Sequence, residues 1–365
     1  MDSSNGRVLH VIDVLSPGSG VANVVRDLVV GIPQFKQDVA VYGQCDDEME
    51  REITSCGGRV YQLPNVTQSF GFHFGKAFAQ LIKDNSYGIV HGHLLNSAFI
   101  YLRAAKLHGV PCRIIHAHSA ASSDSQLKRM RNDILSLGIP IWANNYIAVS
   151  QAAAKRAFGG KNKNISIIQN GIDVNRFCYN SKVRFEVRKE LGLKDSVICV
   201  GNVARFDGLK NHSFILKVFQ EMRKKADCAL VLVGRGYLEN DIKEMADALS
   251  LKDSVYFLGL RSDVERVYQA FDVFLLPSLH EGFGLAAVEA QCAGLGCVVS
   301  ENVPMDTKCS DHIQYLPLGD AKHWADVALE MNNKTRSDGS KGVVAAKLDN
   351  IHMCGKVFEI YNSKP

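Results

Sequence analysis

Short apolar runs alternate with stretches of helical periodicity along almost the whole chain. The run Arg7-Val8-Leu9-His10-Val11-Ile12 leads into a small-residue loop, Ser16–Gly20, and then into Val21–Val30, where apolar positions recur at helical spacing. The same strand, glycine-bearing loop and helix return at Ser196–Gly201, with a helix over Asn211–Lys224. Asp38–Tyr42, Gly58–Leu63, Gly88–His91, Arg113–His116, Asn145–Val149 and Ile165–Ile168 read as further strands of a first half. Ala229–Val233, Val255–Leu258, Val273–Leu276 and Cys297–Ser300 read as strands of a second. Apolar runs without polar alternation fit strands buried on both faces, and strands separated by helices pair in parallel. The expected class is therefore α/β, with two doubly wound domains. The halves share architecture and not sequence. A break is expected around Asp173–Arg184, giving domains over 1–175 and 176–345. A polar loop follows over Asn332–Lys341, then a closing helix, Ile351–Tyr361.

The chain's 365 residues suffice for two such domains. No apolar run approaches the ~20 residues that span a bilayer, and the N-terminus lacks the pattern of a secretory signal. Ten cysteines are scattered without a C-x2-C pair, mostly in apolar contexts. That suits reduced core thiols and a cytoplasmic protein, and gives no zinc site. The net charge of +4 is uneven: residues 1–177 carry 18 Lys/Arg against 13 Asp/Glu, and the remainder 24 against 25. So weak an excess, without interleaved aromatics, does not indicate nucleic acid. It does suit an anionic membrane surface.

The most informative stretch is Pro277-Ser278-Leu279-His280-Glu281-Gly282-Phe283-Gly284-Leu285-Ala286-Ala287-Val288-Glu289-Ala290. Pro277 ends the strand before it, and a helix is expected from Phe283 or Gly284. The free amides of such a helix face whatever lies before the loop, and its dipole favours an anion there. Glu281 would precede the helix and Glu289 lie two turns inside it, one carboxylate near each end of a bound diphosphate. The plainer reading makes Glu281 a dipole-complementing charge and Glu289 a solvated one. Arg205 and Lys210 stand five apart in the loop after the first strand of the second half. Ligands bind at such carboxyl ends, and two cations there can clamp a diphosphate.

The segment Glu281-Gly282-Phe283-Gly284-Leu285-Ala286-Ala287-Val288-Glu289-Ala290-Gln291-Cys292-Ala293-Gly294 resembles the donor-binding signature of the group 1 retaining glycosyltransferases, glycosyltransferase family 4, and especially those of bacterial exopolysaccharide and capsule synthesis. The resemblance extends to Gly201–His212, His116-Ala117-His118, Ser16–Val21, Ile147–Ala152 and Ile168–Asp173. It implies a GT-B fold, two Rossmann-like domains facing across a cleft, with the acceptor on the first and a nucleotide-sugar on the second. It also implies that the last helix, about 351–365, returns to the first domain.

By that resemblance Glu289 binds the ribose, while Glu281 with Gly282, Phe283, Gly284 and Leu285 holds the sugar. Arg205 and Lys210 carry the phosphates, and His118 reaches the donor sugar. Gly18 and Gly20 let the backbone approach a sugar or phosphate. Base recognition falls near Gly259–Val264. There Arg261 either contributes to donor binding or pairs with Asp263 or Glu265. Gly234-Arg235-Gly236 can add backbone or cationic contacts. Ser150 is expected to cap a helix, and Gly171 to supply an unusual turn near the hinge. Ser119 stands where the family more often has asparagine, and Gly296 where it has proline.

The function implied is transfer of a hexosyl or N-acetylhexosaminyl group, UDP-sugar favoured over GDP-sugar, to a glycan or lipid-linked acceptor. A nucleotide-sugar 2-epimerase of the same fold and a non-catalytic scaffold are the rivals. No cofactor and no metal are expected. The pairs His91/His93 and His116/His118 lack a third ligand at readable spacing. Finally, Gln126–Ile139 can form an amphipathic helix, with Leu127, Met130, Ile134 and Leu137 beside Lys128, Arg129 and Arg131. It would contact the cytoplasmic face of an anionic membrane.

Overall fold

A computed structural model describes residues 6–67, 71–118, 139–159, 164–332 and 336–363. Ser119 and all of the membrane-contact segment but Ile139 lie outside the described residues. The chain divides into two compact units, Met1–Asn170 with Asn350–Pro365, and Gly171–Asp349. The division falls a few residues before the stretch expected from sequence.

The first unit is a seven-stranded sheet with all described neighbours parallel. Its strands are β1 (Arg7–Ile12), β2 (Lys36–Val41), β3 (Val60–Gln62), β4 (Ile89–Gly92), β5 (Cys112–Ala117), β6 (Asn145–Ala148) and β7 (Ile165–Ile167). The order is β3-β2-β1-β4-β5-β6-β7. The chain moves outward from β1 to β3 and then returns to the other side of β1, so β1 and β4 flank the switch point. The helix Gly20–Gly31 starts at Ser19, whose hydroxyl accepts the Ala22 amide at 3.3 Å. Ser150 caps the helix Gln151–Phe158 in the same way, by accepting from Ala153 at 3.1 Å.

The last helix, Asn350–Asn362, belongs to this unit. Met353, Cys354, Val357 and Tyr361 join a core cluster with Val24, Leu28, Ile89 and Ile114. Close approach requires Gly31: a Cβ there would stand 2.5 Å from Cys354 Sγ. Tyr361 reaches the middle of the sheet, its hydroxyl 2.7 Å from His91 Nδ1.

The second unit repeats the plan with six parallel strands in the order β10-β9-β8-β11-β12-β13. They are β8 (Ile198–Val203), β9 (Cys228–Val233), β10 (Val255–Gly259), β11 (Val273–Leu276), β12 (Gly296–Ser300) and β13 (Ile313–Leu316). The edge strand β13 escaped the sequence reading because Ile-Gln-Tyr-Leu is short and half polar. Gly171, expected to supply an unusual turn, is not among the residues with positive φ. The expected loop Asn332–Lys341 gives way at Ser340 to a helix, Ser340–Ala345.

A network of arginines anchors the start of this unit. Asp272, just before β11, accepts from Arg184 Nη2 at 2.5 Å, Arg188 Nη1 at 3.0 Å and the Cys199 amide at 2.7 Å. Arg188 has a side chain only 1% exposed, and it also donates to the carbonyls of Ala270, Lys194 and Val197. Arg336 donates to Ala293, Gln269 and Phe271 carbonyls. Burial lowers its pKa to about 9. None of the ten cysteines forms a disulfide. No helix among the described residues is long and apolar enough to cross a membrane.

Candidate active site

In the second unit the loops after β8 and β11 leave the sheet side by side, because these strands flank its switch point. Asn202, buried at the end of β8, donates to the Leu275 carbonyl of β11 at 2.8 Å. The Leu279 amide donates to the Leu209 carbonyl at 2.7 Å, and Asn211 Nδ2 to the Pro277 carbonyl at 3.2 Å. These bonds bring two distant motifs together. Lys210 Nζ donates to Glu281 Oε1 at 2.7 Å, and Ser278 Oγ donates to the same oxygen at 2.7 Å. The Glu281 side chain is 8% exposed, so it is not a solvated helix-end charge.

Asp207 organises the cationic loop and was not singled out in the sequence. One carboxylate oxygen accepts the Leu209 and Lys210 amides at 3.0 and 3.2 Å, the other Arg205 Nε at 2.7 Å. The signal for it was Asp-Gly-Leu-Lys, an Asp that can bond the amides two and three residues on. Arg205 is nevertheless 69% exposed and remains open to an incoming anion. Ser278, also missed, is fully buried, and its carbonyl accepts from Ser300 Oγ at 2.6 Å.

Gly234 and Gly236 act by packing. A Cβ on either would stand 2.0 or 2.1 Å from the carbonyls of Ala204 and Phe206, so only glycine lets β9 support the Arg205 loop. The helix of the main signature runs over Leu285–Cys292, one residue later than the latest expected start. Gly284 precedes it at φ +97°, where any side chain is strained. Phe283 is buried, whereas Gly282 and Leu285 remain partly open. Glu289 is not a freely solvated residue either: its Oε2 accepts from the hydroxyl of buried Tyr268 at 2.8 Å. Burial, and then that carboxylate, push the Tyr268 hydroxyl well above its ordinary pKa.

Arg261 forms the local pair that the sequence also offered. Its Nε and Nη2 donate to the two oxygens of Asp263, both at 2.8 Å. Close to it, a concavity of about 470 Å³ opens at the ends of β9 and β10, lined by Arg235, Tyr237, Asn240, Phe257 and Gly259 among others.

In the first unit Gly18 and Gly20 keep ordinary backbone angles. No atom lies within 4 Å of a Cβ at Gly20, so that position leaves open space. His118 belongs to a cluster that the sequence showed only in pairs. His10, His91 and His116 stack across β1, β4 and β5, and His93 and His118 extend the stack beyond the strand ends. The fold therefore supplies the third ring that spacing had not. The nitrogens of His10, His91 and His93, and of His93, His116 and His118, come within 4.8 Å of one another. His10 Nδ1 and His93 Nε2 are 3.0 Å apart, His93 Nδ1 and His118 Nε2 2.8 Å, lengths of direct hydrogen bonds. Two nitrogens sharing a tetrahedral zinc at ~2.0–2.1 Å would stand about 3.3 Å apart.

Burial pushes His10 down to about 4 and His118 to about 3. Burial and neighbouring histidines hold His91, His93 and His116 well below the ordinary value. Unfolded rings take up protons as the pH falls through about 6.5, while the native rings stay neutral. Their contribution to stability is thus complete above about pH 6.5. It declines on acidification, through the folded values of about 4 for His10 and 3 for His118. The expected result is a lower urea midpoint at pH 5 than at pH 7.5. An equal or higher midpoint at pH 5 would contradict these depressed values.

Known proteins agree with this architecture. The family description "Glycosyl transferases group 1" matches residues 183–309, and "Glycosyltransferase Family 4" matches residues 18–176. A putative glycosyltransferase, EpsF of Bacillus subtilis, is 33% identical over 83% of this chain and 81% of its own. The Escherichia coli UDP-Gal:alpha-D-GlcNAc-diphosphoundecaprenol alpha-1,3-galactosyltransferase is 32% identical over 60% of this chain and 59% of its own. The crystal structure of Anabaena Alr3699/HepE in complex with UDP and glucose superposes with a TM-score of 0.82 at 18% identity, covering 98% of this chain and 99% of that one, and so shares the fold. With two parallel sheets of this order and one-third identity across most of its length, the chain belongs to the group 1, family 4 glycosyltransferases of GT-B fold.

Proposed function

We propose that the protein is a retaining glycosyltransferase that moves a hexosyl or N-acetylhexosaminyl group from a UDP-sugar to a lipid-linked or glycan hydroxyl in exopolysaccharide or capsule assembly. The observation that carries this reading is the Lys210–Glu281–Ser278 cluster at the switch point, beside the exposed Arg205. Lys210 has three N–H donors, so it can keep Glu281 while donating to a phosphate. Arg205 can do the same from its outer edge while Asp207 holds Nε. The start of the helix at Leu285 adds a favourable dipole for the diphosphate. Glu281 and the loop amides then hold sugar hydroxyls, and Glu289, braced by Tyr268, holds the ribose.

In this scheme the acceptor oxygen bonds to the anomeric carbon on the face from which the diphosphate departs. The hydroxyl proton passes to a donor phosphate oxygen, and the UDP leaves with the bonding pair. The protein supplies position and charge stabilisation and needs no nucleophile of its own. No resident metal is part of the proposal. The preference for UDP and for a polyprenol-diphosphate acceptor is supported by the E. coli relative's donor and acceptor. The 2-epimerase reading is not favoured, since relatives matched over most of the chain are named as glycosyltransferases.

A panel of UDP-, GDP- and ADP-sugars, offered with and without a polyprenol-diphosphate sugar, tests it. Acceptor-dependent release of UDP and a product keeping the donor's anomeric configuration are expected. Inversion, or no nucleotide release from any donor, would refute the reading. Glu289→Ala should mainly weaken donor binding, and Glu281→Ala should change which sugar is accepted. Unchanged sugar selection by Glu281→Ala would remove that assignment.

A further inference from the structure

Five histidines gather across the carboxyl-terminal halves of β1, β4 and β5 and just beyond them, and the resemblance gave a role only to His118. Hydrogen bonding fixes the protonation pattern of three of them, starting from Gln37. Gln37 Nε2 donates to the carbonyls of Leu28 and Ile32 at 2.8 and 3.1 Å, which sets the direction of its buried amide. Its Oε1 must then accept, and His10 Nε2 lies 2.9 Å away. A neutral His10 with its proton on Nε2 has a lone pair on Nδ1. His93 Nε2, 3.0 Å from that lone pair, must be the donor, which leaves His93 Nδ1 as an acceptor. His118 Nε2, 2.8 Å from His93 Nδ1, must donate in turn. The chain of bonds ends at His118 Nδ1, a buried lone pair with no partner among the described residues.

We propose that Gln37, acting through His10 and His93, fixes the tautomer of His118 so that its Nδ1 accepts a hydrogen bond from a substrate hydroxyl. This rests on the reading of the protein as a sugar-transferring enzyme. A sugar hydroxyl can donate or accept. An accepting nitrogen engages the hydroxyl's O–H in a hydrogen bond and leaves the oxygen lone pairs aimed elsewhere, whereas the reversed chain would present an N–H. The burial that keeps these rings neutral also maintains the pattern, because an extra proton on His10 Nδ1 or His93 Nδ1 would place two donors face to face. Gln37, His10 and His93 are thus positioning residues. Only His118 meets the ligand.

The tautomer can be read without substrate. In protein labelled with 15N at histidine, long-range proton–nitrogen correlation spectra should show His118, assigned by its loss in His118→Asn, bare at Nδ1 and protonated at Nε2 between pH 5 and 8. A proton on Nδ1, or a doubly protonated ring at pH 7, overturns the proposal. Gln37→Met removes the acceptor at the head of the chain. It should give a mixture of His118 tautomers and lower kcat roughly tenfold, with the donor KM little changed. Gln37→Glu keeps an oxygen facing His10 and should restore both. A Gln37→Met protein with the parent's tautomer and kcat also overturns it. If wild-type protein transfers sugar from no donor, the proposed function fails, and the substrate-free spectra still decide the tautomer.

Discussion

Replacing Lys210 with alanine should lower sugar transfer at least tenfold. The variant loses a charge-assisted contact to the leaving diphosphate, worth roughly 1.5–3 kcal/mol, or about 10- to 150-fold in rate. A second effect adds to it. Lys210 holds Glu281, whose side chain is 8% exposed, and without the ammonium that carboxylate keeps, among the described residues, the Ser278 hydroxyl. Glu281 should then shift, disturbing the sugar subsite as well as the phosphate clamp. The two effects separate in a double-mutant cycle. Lys210→Ala combined with Glu281→Ala should cost less than the sum of the single changes, because residues in one hydrogen-bonded pair are not additive. Arg205→Ala, which touches Asp207 and not Glu281, should lower turnover about tenfold by the first effect alone. Wild-type turnover in folded Lys210→Ala protein would remove the phosphate assignment.

The largest stability effect is expected at a residue far from any proposed chemistry. Asp272→Ala should destabilise the second unit by about 3–5 kcal/mol, the usual cost of leaving a buried charge uncompensated. The charge is Arg188, 1% exposed, which would keep its carbonyl partners and lose its nearest carboxylate. Arg184 and the Cys199 amide lose an acceptor in the same change. Urea unfolding followed by circular dichroism measures the loss. A change below about 1 kcal/mol would show that the arginines find other partners. Arg188→Met, which removes the buried charge and fills similar space, should cost less than Asp272→Ala.

Much of this protein was legible in its sequence. The alternation of apolar runs and helical stretches determined the α/β class and the two-domain plan. Parallel strands buried on both faces leave a signal that does not depend on distant contacts. The residues Glu281–Gly294 carried enough chemistry to place a candidate site at a strand end, and Arg205 and Lys210 marked the facing loop. Pairwise proximity was not legible. Lys210 and Glu281 are 71 residues apart, and they meet because β8 and β11 are neighbours at a switch point. Asp207 and Ser278 look like ordinary loop and strand-end residues until the fold shows which amides and carboxylates they hold. The histidines show the same limit. Two HxH pairs were visible, but His10 came from the first strand and Gln37 from the second, and only their parallel alignment with β4 and β5 makes one hydrogen-bonded chain. Arg261 is closer to legible, since the sequence offered a local pair and the structure forms it with Asp263. Sequence determined which elements form, because their periodicity is local. Tertiary structure decided which side chains touch, because that depends on the order in which strands are laid into the sheet.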